Sequence, residues 1–262
     1  MLNLSFCTDD KIMARFIIST SRMPVKLANE LWTKFKADYQ TLQRDLNYPL
    51  DNEAIIFELM KSDLFKQLKN EAINNCIRIE KLWQSNSDKI NSFLEKICKK
   101  QLNLSQSAII VAPFLCAAGN IGDNRFLWGH NLGLSDSNYD LVYLVHEALH
   151  SYFPNGTLTH AIIENIADVE LCKYLNSSPS NYPTHDYTND YRVKIFPYWS
   201  LYLNQSESEL LKRQKEEKIY YKVSDFEKYR DTLKELDIDK LVDFLKEHIN
   251  EIDYETSYQI VS

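Results

Sequence analysis

The chain has 262 residues, with 30 lysines and arginines against 37 aspartates and glutamates, and a formal net charge of −7. That balance argues against a general nucleic-acid binder, and no apolar run approaches the roughly 20 residues of a membrane span. A hydrophobic content of 44% with 26% charged residues is that of an ordinary folded protein of one large or two small domains.

The start, Met1-Leu-Asn-Leu-Ser-Phe-Cys7, lacks the basic opening and long apolar core of a signal peptide. Cys7, Cys76, Cys98, Cys116 and Cys172 are widely spread and form no Cys-x-x-Cys pair. Such cysteines are expected to be reduced and mostly buried, in a cytoplasmic protein. Five glycines and seven prolines point to a helix-rich chain.

Residues 11–20 read as a strand, alternating and then continuously apolar. Pro24 opens a helix in which Leu27, Leu31, Phe35, Tyr39 and Leu42 recur at helical spacing. Asp51 caps a second helix through Ile55, Ile56, Leu59 and Met60. Residues 65–83 and 86–100 make a third and a fourth, the last ending in Lys99-Lys100, which suits a helix C-terminus.

The character changes at Ser107. Ala108-Ile-Ile-Val-Ala112 reads as a buried strand, Ala117 to Asn124 as a loop, and 125–134 as a second strand containing Gly129 and Gly133.

Next comes Leu141-Val-Tyr-Leu-Val-His146-Glu147-Ala-Leu-His150, preceded by Ser137-x-x-Asp140, a capping-box pattern, and ended by Pro154-Asn155-Gly156. Leu141, Leu144, Val145, Ala148, Leu149 and Tyr152 give it one apolar face. His146 and His150 are four apart, so they stand one turn above the other and two imidazoles can share one metal ion. Glu147, beside them, is placed to take a proton from water at that ion. A His-Glu-x-x-His helix of this kind is the pattern of a catalytic zinc site.

A catalytic zinc needs a third protein ligand and an open position. The next helix, across a tight turn, carries His160, Glu164 and Asp168 four apart on one face. His160 and Glu164 are the candidates for the third ligand. No third histidine stands at the metzincin spacing, where this chain has Gly156.

From Asp136 to Glu170 the chain resembles the gluzincin metallopeptidases, in which the downstream ligand is a glutamate on a following helix. The resemblance implies that Glu164 is the third zinc ligand and that Asp168 orients a ligand imidazole. It also implies that the strand before the motif is an edge strand pairing with an extended peptide. Gluzincins draw their oxyanion donor from a Tyr or His beyond the third ligand, which makes His185, Tyr187 and Tyr191 the candidates here.

Between Arg125 and Lys173 there is no lysine or arginine, while Asp136, Asp140, Glu147, Glu164, Asp168 and Glu170 all fall there. That local acidity favours a bound cation. The segment through Phe196-Pro-Tyr198-Trp199 is aromatic and reads as a packing surface. Ser206-x-x-Glu209 starts a charged helix, and two more follow at 225–236 and 239–252.

The expected fold is α+β and mostly α-helical. A zincin-like core at 105–180, with a small sheet, an active-site helix and a third-ligand helix, is flanked by helical parts at 1–104 and 181–262. The expected function is zinc-dependent hydrolysis of a peptide or protein substrate, with Glu147 as general base. The alternative is a zinc-binding interaction protein without catalysis. Neither nucleic-acid nor membrane partners are expected, and oligomeric state is not legible.

Overall fold

The computed structural model describes residues 1–18, 52–115, 117–130, 134, 136–177, 188–249 and 259–260. It is an α+β protein, mostly helical, with a small mixed sheet of four strands. The helix expected over 27–42 lies outside the described residues. Contacts group the chain into two compact units, one of 2–87 and 105–148, the other of Met1, 88–104 and 149–262.

In the first unit, strand β1 is Leu2–Cys7 and helix α1 is Asp10–Ile18. The strand expected at 11–20 is therefore this helix. Asp9 Oδ1 accepts the Ile12 N–H at 2.9 Å, the cap that starts it. Met13, Ala14 and Ile17 are buried at helical spacing. Helix α2 is Asn52–Lys61, as the pattern around Ile56 and Leu59 predicts.

Helix α3 runs unbroken from Asp63 to Cys98, where the sequence predicts two helices around a polar break. The polar side chains of the expected break bond back to carbonyls one turn earlier. Ser85 Oγ donates to Lys81 O at 2.9 Å, and Asn86 Nδ2 to Leu82 O at 2.8 Å.

Strands β2, Leu104–Ile110, β3, Ala117–Gly122, and β4, Arg125–Gly129, complete the sheet in the order β1-β2-β4-β3. The loop expected at 117–124 is strand β3. Asp123 and Asn124 both take left-handed φ, 52° and 55°, and close a tight hairpin onto β4. β4 also pairs in parallel with β2, Ala108 opposite Phe126. The strand before the motif is thus interior, not the expected edge, and the antiparallel edge beside it is β3.

Gly129 serves that interior position. A Cβ there would stand 2.6 Å from Val111 Cγ2 and 2.7 Å from Val111 O, so the glycine admits close backbone approach within the protein itself. On this face of the sheet Ile109, Val111 and Leu127 bury against Met13, Ile17, Phe65 and Leu68. Apolar burial of this kind contributes about 25 cal/mol per Å².

In the second unit, Asn189–Tyr202 forms helix α6. Tyr198, Trp199 and Tyr202 on it are fully buried, so the aromatic segment is a packing surface and also a helix. Helix α7, Glu207–Glu217, opens with both halves of the capping box between Ser206 and Glu209. The helix expected at 225–236 is three short turns, Val223–Phe226, Glu227–Tyr229 and Arg230–Leu233. Helix α8 is Ile238–His248, capped by Asp237. Among the described residues, no helix is long and apolar enough to cross a membrane.

Candidate metal centre

Helix α4 is Ser137–Leu149 and carries the His-Glu-x-x-His motif at its C-terminal end. Its start differs from the expected capping box. Asp136 Oδ1 accepts the Asn138 N–H at 2.9 Å. The Asp140 carboxylate, fully buried, instead takes the Trp128 indole N–H at 2.7 Å and faces Arg78 Nη1 at 2.7 Å. An ion pair and a ring donor hold that carboxylate more strongly than a helix terminus would. Burial pushes the Asp140 pKa up, against the opposing pull of Arg78.

Trp128 therefore ties the motif helix to strand β4. Its ring also stacks on Tyr143, centroids 4.0 Å apart. The Tyr143 hydroxyl donates to Glu147 Oε1, one turn further along α4. Glu147 and His146 are both buried, at 5% and 4% exposure, and the Tyr143 ring lies parallel to the His146 imidazole at 6.0 Å. Tyr143 is a contact the sequence reading missed. Its signal was its position four residues before Glu147 on the same helix.

His150 follows the last residue of α4, and the helical turn persists, with Phe153 N–H reaching Leu149 O at 3.0 Å. The chain then turns through Pro154 and Gly156. Thr159 Oγ1 pins that turn with bonds to Pro154 O and Gly156 O, 2.6 and 2.9 Å. Helix α5, Thr157–Glu164, follows and continues as a π-helical stretch, Asn165–Leu171, and a last turn, Cys172–Tyr174.

This brings His160 edge-on to His150, ring centroids 4.7 Å apart. The ligand atoms of His146, His150 and His160 all lie within 4.8 Å of one another, the one such group among the described residues. Two nitrogens on a tetrahedral zinc stand about 3.4 Å apart, so small ring movements bring these onto one ion. Imidazole donors suit zinc and other late first-row metals. The residues present fit a metal ion.

Glu164 touches this group through His160. Its Oε1 is 3.8 Å from His160 Nε2, and its Oε2 accepts from the Thr188 hydroxyl at 2.6 Å. Arg192 Nε stands 3.9 Å from the same carboxylate, which is fully buried. The π-helical stretch begins directly after Glu164. Wider turns of this type recur at functional sites, where they re-aim side chains. Asp168 lies within that stretch and is part-buried.

Tyr191 lies in the first turns of α6, part-buried, with Lys194 Nζ 5.8 Å from its ring centroid. His185 and Tyr187 lie outside the described residues. His130 is half-buried and burial pushes its pKa down; its ring stacks on Trp128 at 5.8 Å.

The acidity of 125–173 is partly answered by arginines from far along the chain. Arg78 meets Asp140, and Arg213 meets Glu170, which also accepts from Trp199 Nε1 at 3.1 Å. Asp140 and Glu170 are therefore structural charges, not cation ligands. The two arginines are more than 40 residues from the carboxylates they meet, beyond any local pattern.

Comparison of the chain with protein-family models, with curated proteins and with solved structures finds no match.

Proposed function

We propose that this protein is a zinc-dependent peptidase, acting on peptide or protein substrates in the cytoplasm. The observation that carries the reading is the convergence of His146, His150 and His160, with buried Glu147 on the same helix as the first two. His146 and His150 would hold the ion together with a donor from α5, where Glu164, the third ligand in gluzincin-type sites, lies against His160.

When bound, zinc supplies a Lewis acid that acidifies water and polarises a carbonyl. Glu147 acts as general base, taking the proton of the attacking water and returning it to the leaving amine. The Tyr143 hydroxyl donates to Oε1 of that carboxylate and so orients it. Thr188 and Arg192 hold Glu164 in its buried position. Asp168 is assigned to orienting a ligand imidazole. Tyr191, with His185 and Tyr187, is the source of an oxyanion donor.

Strand β3, at the edge of the sheet among the described residues, supports the zincin-like reading of the sheet, since an edge strand suits an extended peptide. The test is metal content followed by a peptide-library screen, with wild type beside Glu147→Gln. One zinc per chain in both, with cleavage by the wild type alone, is the expected result. Cleavage that survives in Glu147→Gln overturns the mechanism.

A further inference from the structure

Helix α5 carries two side chains that could complete the centre, His160 and Glu164, one helical turn apart. A catalytic zinc held by His146 and His150 takes one of them, because it needs three protein donors and one open position. The geometry separates the two. The group whose donor atoms lie within 4.8 Å of one another holds His146, His150 and His160 and does not include Glu164. Glu164 meets that group at one point, where its Oε1 is 3.8 Å from His160 Nε2.

The other contacts of Glu164 hold it where it is. Its Oε2 accepts the Thr188 hydroxyl at 2.6 Å and has Arg192 Nε 3.9 Å away, and the side chain is fully buried. Leaving them for an ion would strand a buried hydroxyl and a cation, which is costly. His160 has no such contacts to give up toward the ion. Its backbone N–H is tied to Gly156 O at 2.9 Å, and its ring already lies edge-on to His150 with centroids 4.7 Å apart. An imidazole has two ring nitrogens, so one can bind an ion while the other donates to a carboxylate, an arrangement common around zinc.

We infer that His160 is the third protein ligand and that Glu164 is a positioning residue, whose carboxylate holds the His160 ring in place. The centre is then a three-imidazole site, in contrast to the glutamate ligand that the resemblance implies. This rests on the metal-centre reading above and decides which donor of α5 completes it.

Zinc content and affinity of the full chain test this, beside X-ray absorption of the zinc-loaded wild type, in which imidazole rings give a countable scattering pattern. The wild type is expected to hold one zinc per chain on three imidazoles. His160→Ala is expected to lose that zinc while keeping wild-type circular dichroism. Glu164→Gln keeps a hydrogen-bond acceptor and should bind zinc as the wild type does, whereas Glu164→Ala should bind it about 10- to 100-fold more weakly. Loss of zinc from a folded Glu164→Gln, or a wild-type centre of two imidazoles and a carboxylate, overturns the inference and makes Glu164 a ligand. Wild-type zinc affinity in His160→Ala overturns it as well. Should a variant fail to fold, the imidazole count in the wild type decides. A three-imidazole zinc in a protein that cleaves no peptide upholds the inference and removes the peptidase reading, whereas a wild type that takes up no zinc removes both.

Discussion

Arg78 on the long helix α3 and Asp140 on the motif helix α4 form an ion pair of 2.7 Å around a carboxylate with no exposed surface. The pair, with the Trp128 indole on the other oxygen, ties the motif helix to α3 and β4. Removing one partner of a buried pair leaves an uncompensated charge, which costs about 3 kcal/mol or more. Arg78→Met is expected to lower unfolding stability in urea by that amount, and Arg78→Met with Asp140→Asn to recover part of it. Equal stabilities for wild type and Arg78→Met would show that the pair contributes nothing.

In the proposed centre, zinc would link to stability by mass action, because the three imidazoles converge only in the folded chain. Chelator is expected to lower the thermal midpoint of the wild type and added zinc to restore it. His150→Ala should show neither response. The measurement is differential scanning fluorimetry with and without chelator.

Tyr143 and Glu147 separate positioning from chemistry. Glu147→Gln is expected to keep the metal and lose about 10²- to 10⁴-fold in kcat, the usual worth of a general base. Tyr143→Phe removes one hydrogen bond from that carboxylate, worth about 1 kcal/mol, and should lower kcat about fivefold with KM little changed. A Tyr143→Phe effect confined to KM would place Tyr143 in substrate binding instead.

Gly129 has no room for a methyl group against Val111. Gly129→Ala is expected to cost about 1–3 kcal/mol, as overpacking does. Gly156→Ala, where the nearest side-chain atom to an added Cβ is Thr159 Oγ1 at 3.4 Å, serves as the milder comparison. Denaturant midpoints of the two variants decide it.

The capping box of α7 carries a pH signature. The Ser206 hydroxyl and backbone N–H both hold Glu209, which lowers its pKa below the ordinary glutamate value. A depressed carboxylate adds stability above the unfolded value of about 4.3, and that stability is lost as pH falls through the folded pKa. Carbon-detected NMR titration should find Glu209 titrating lower in the wild type than in Ser206→Ala. Identical midpoints in the two proteins would remove the cap from the account.

The residues of the candidate site were legible in the chain because they sit at short, fixed separations on single helices. His146, Glu147 and His150 belong to one turn, and Ser206 with Glu209 to another, so backbone geometry alone brings them together. What failed was also local in cause. The apolar run at 11–18 looks like a strand until Asp9 is recognised as a cap, and Asp123-Asn124 reads as loop until both residues turn left-handed. The polar residues Ser85 and Asn86 lie inside the continuous helix α3, with their side chains bonded to carbonyls one turn back.

By itself the sequence determined a helix-rich α+β chain, the motif helix, and the candidates His160 and Glu164 on the helix after it. Only the tertiary structure decided that the strand before the motif is interior, that Arg78 and Arg213 neutralise Asp140 and Glu170, and that His160 joins the two motif histidines. The physical reason is range. Helical spacing and caps act over three or four residues, whereas strand order, buried ion pairs and metal donors join residues that the chain keeps far apart until the fold closes.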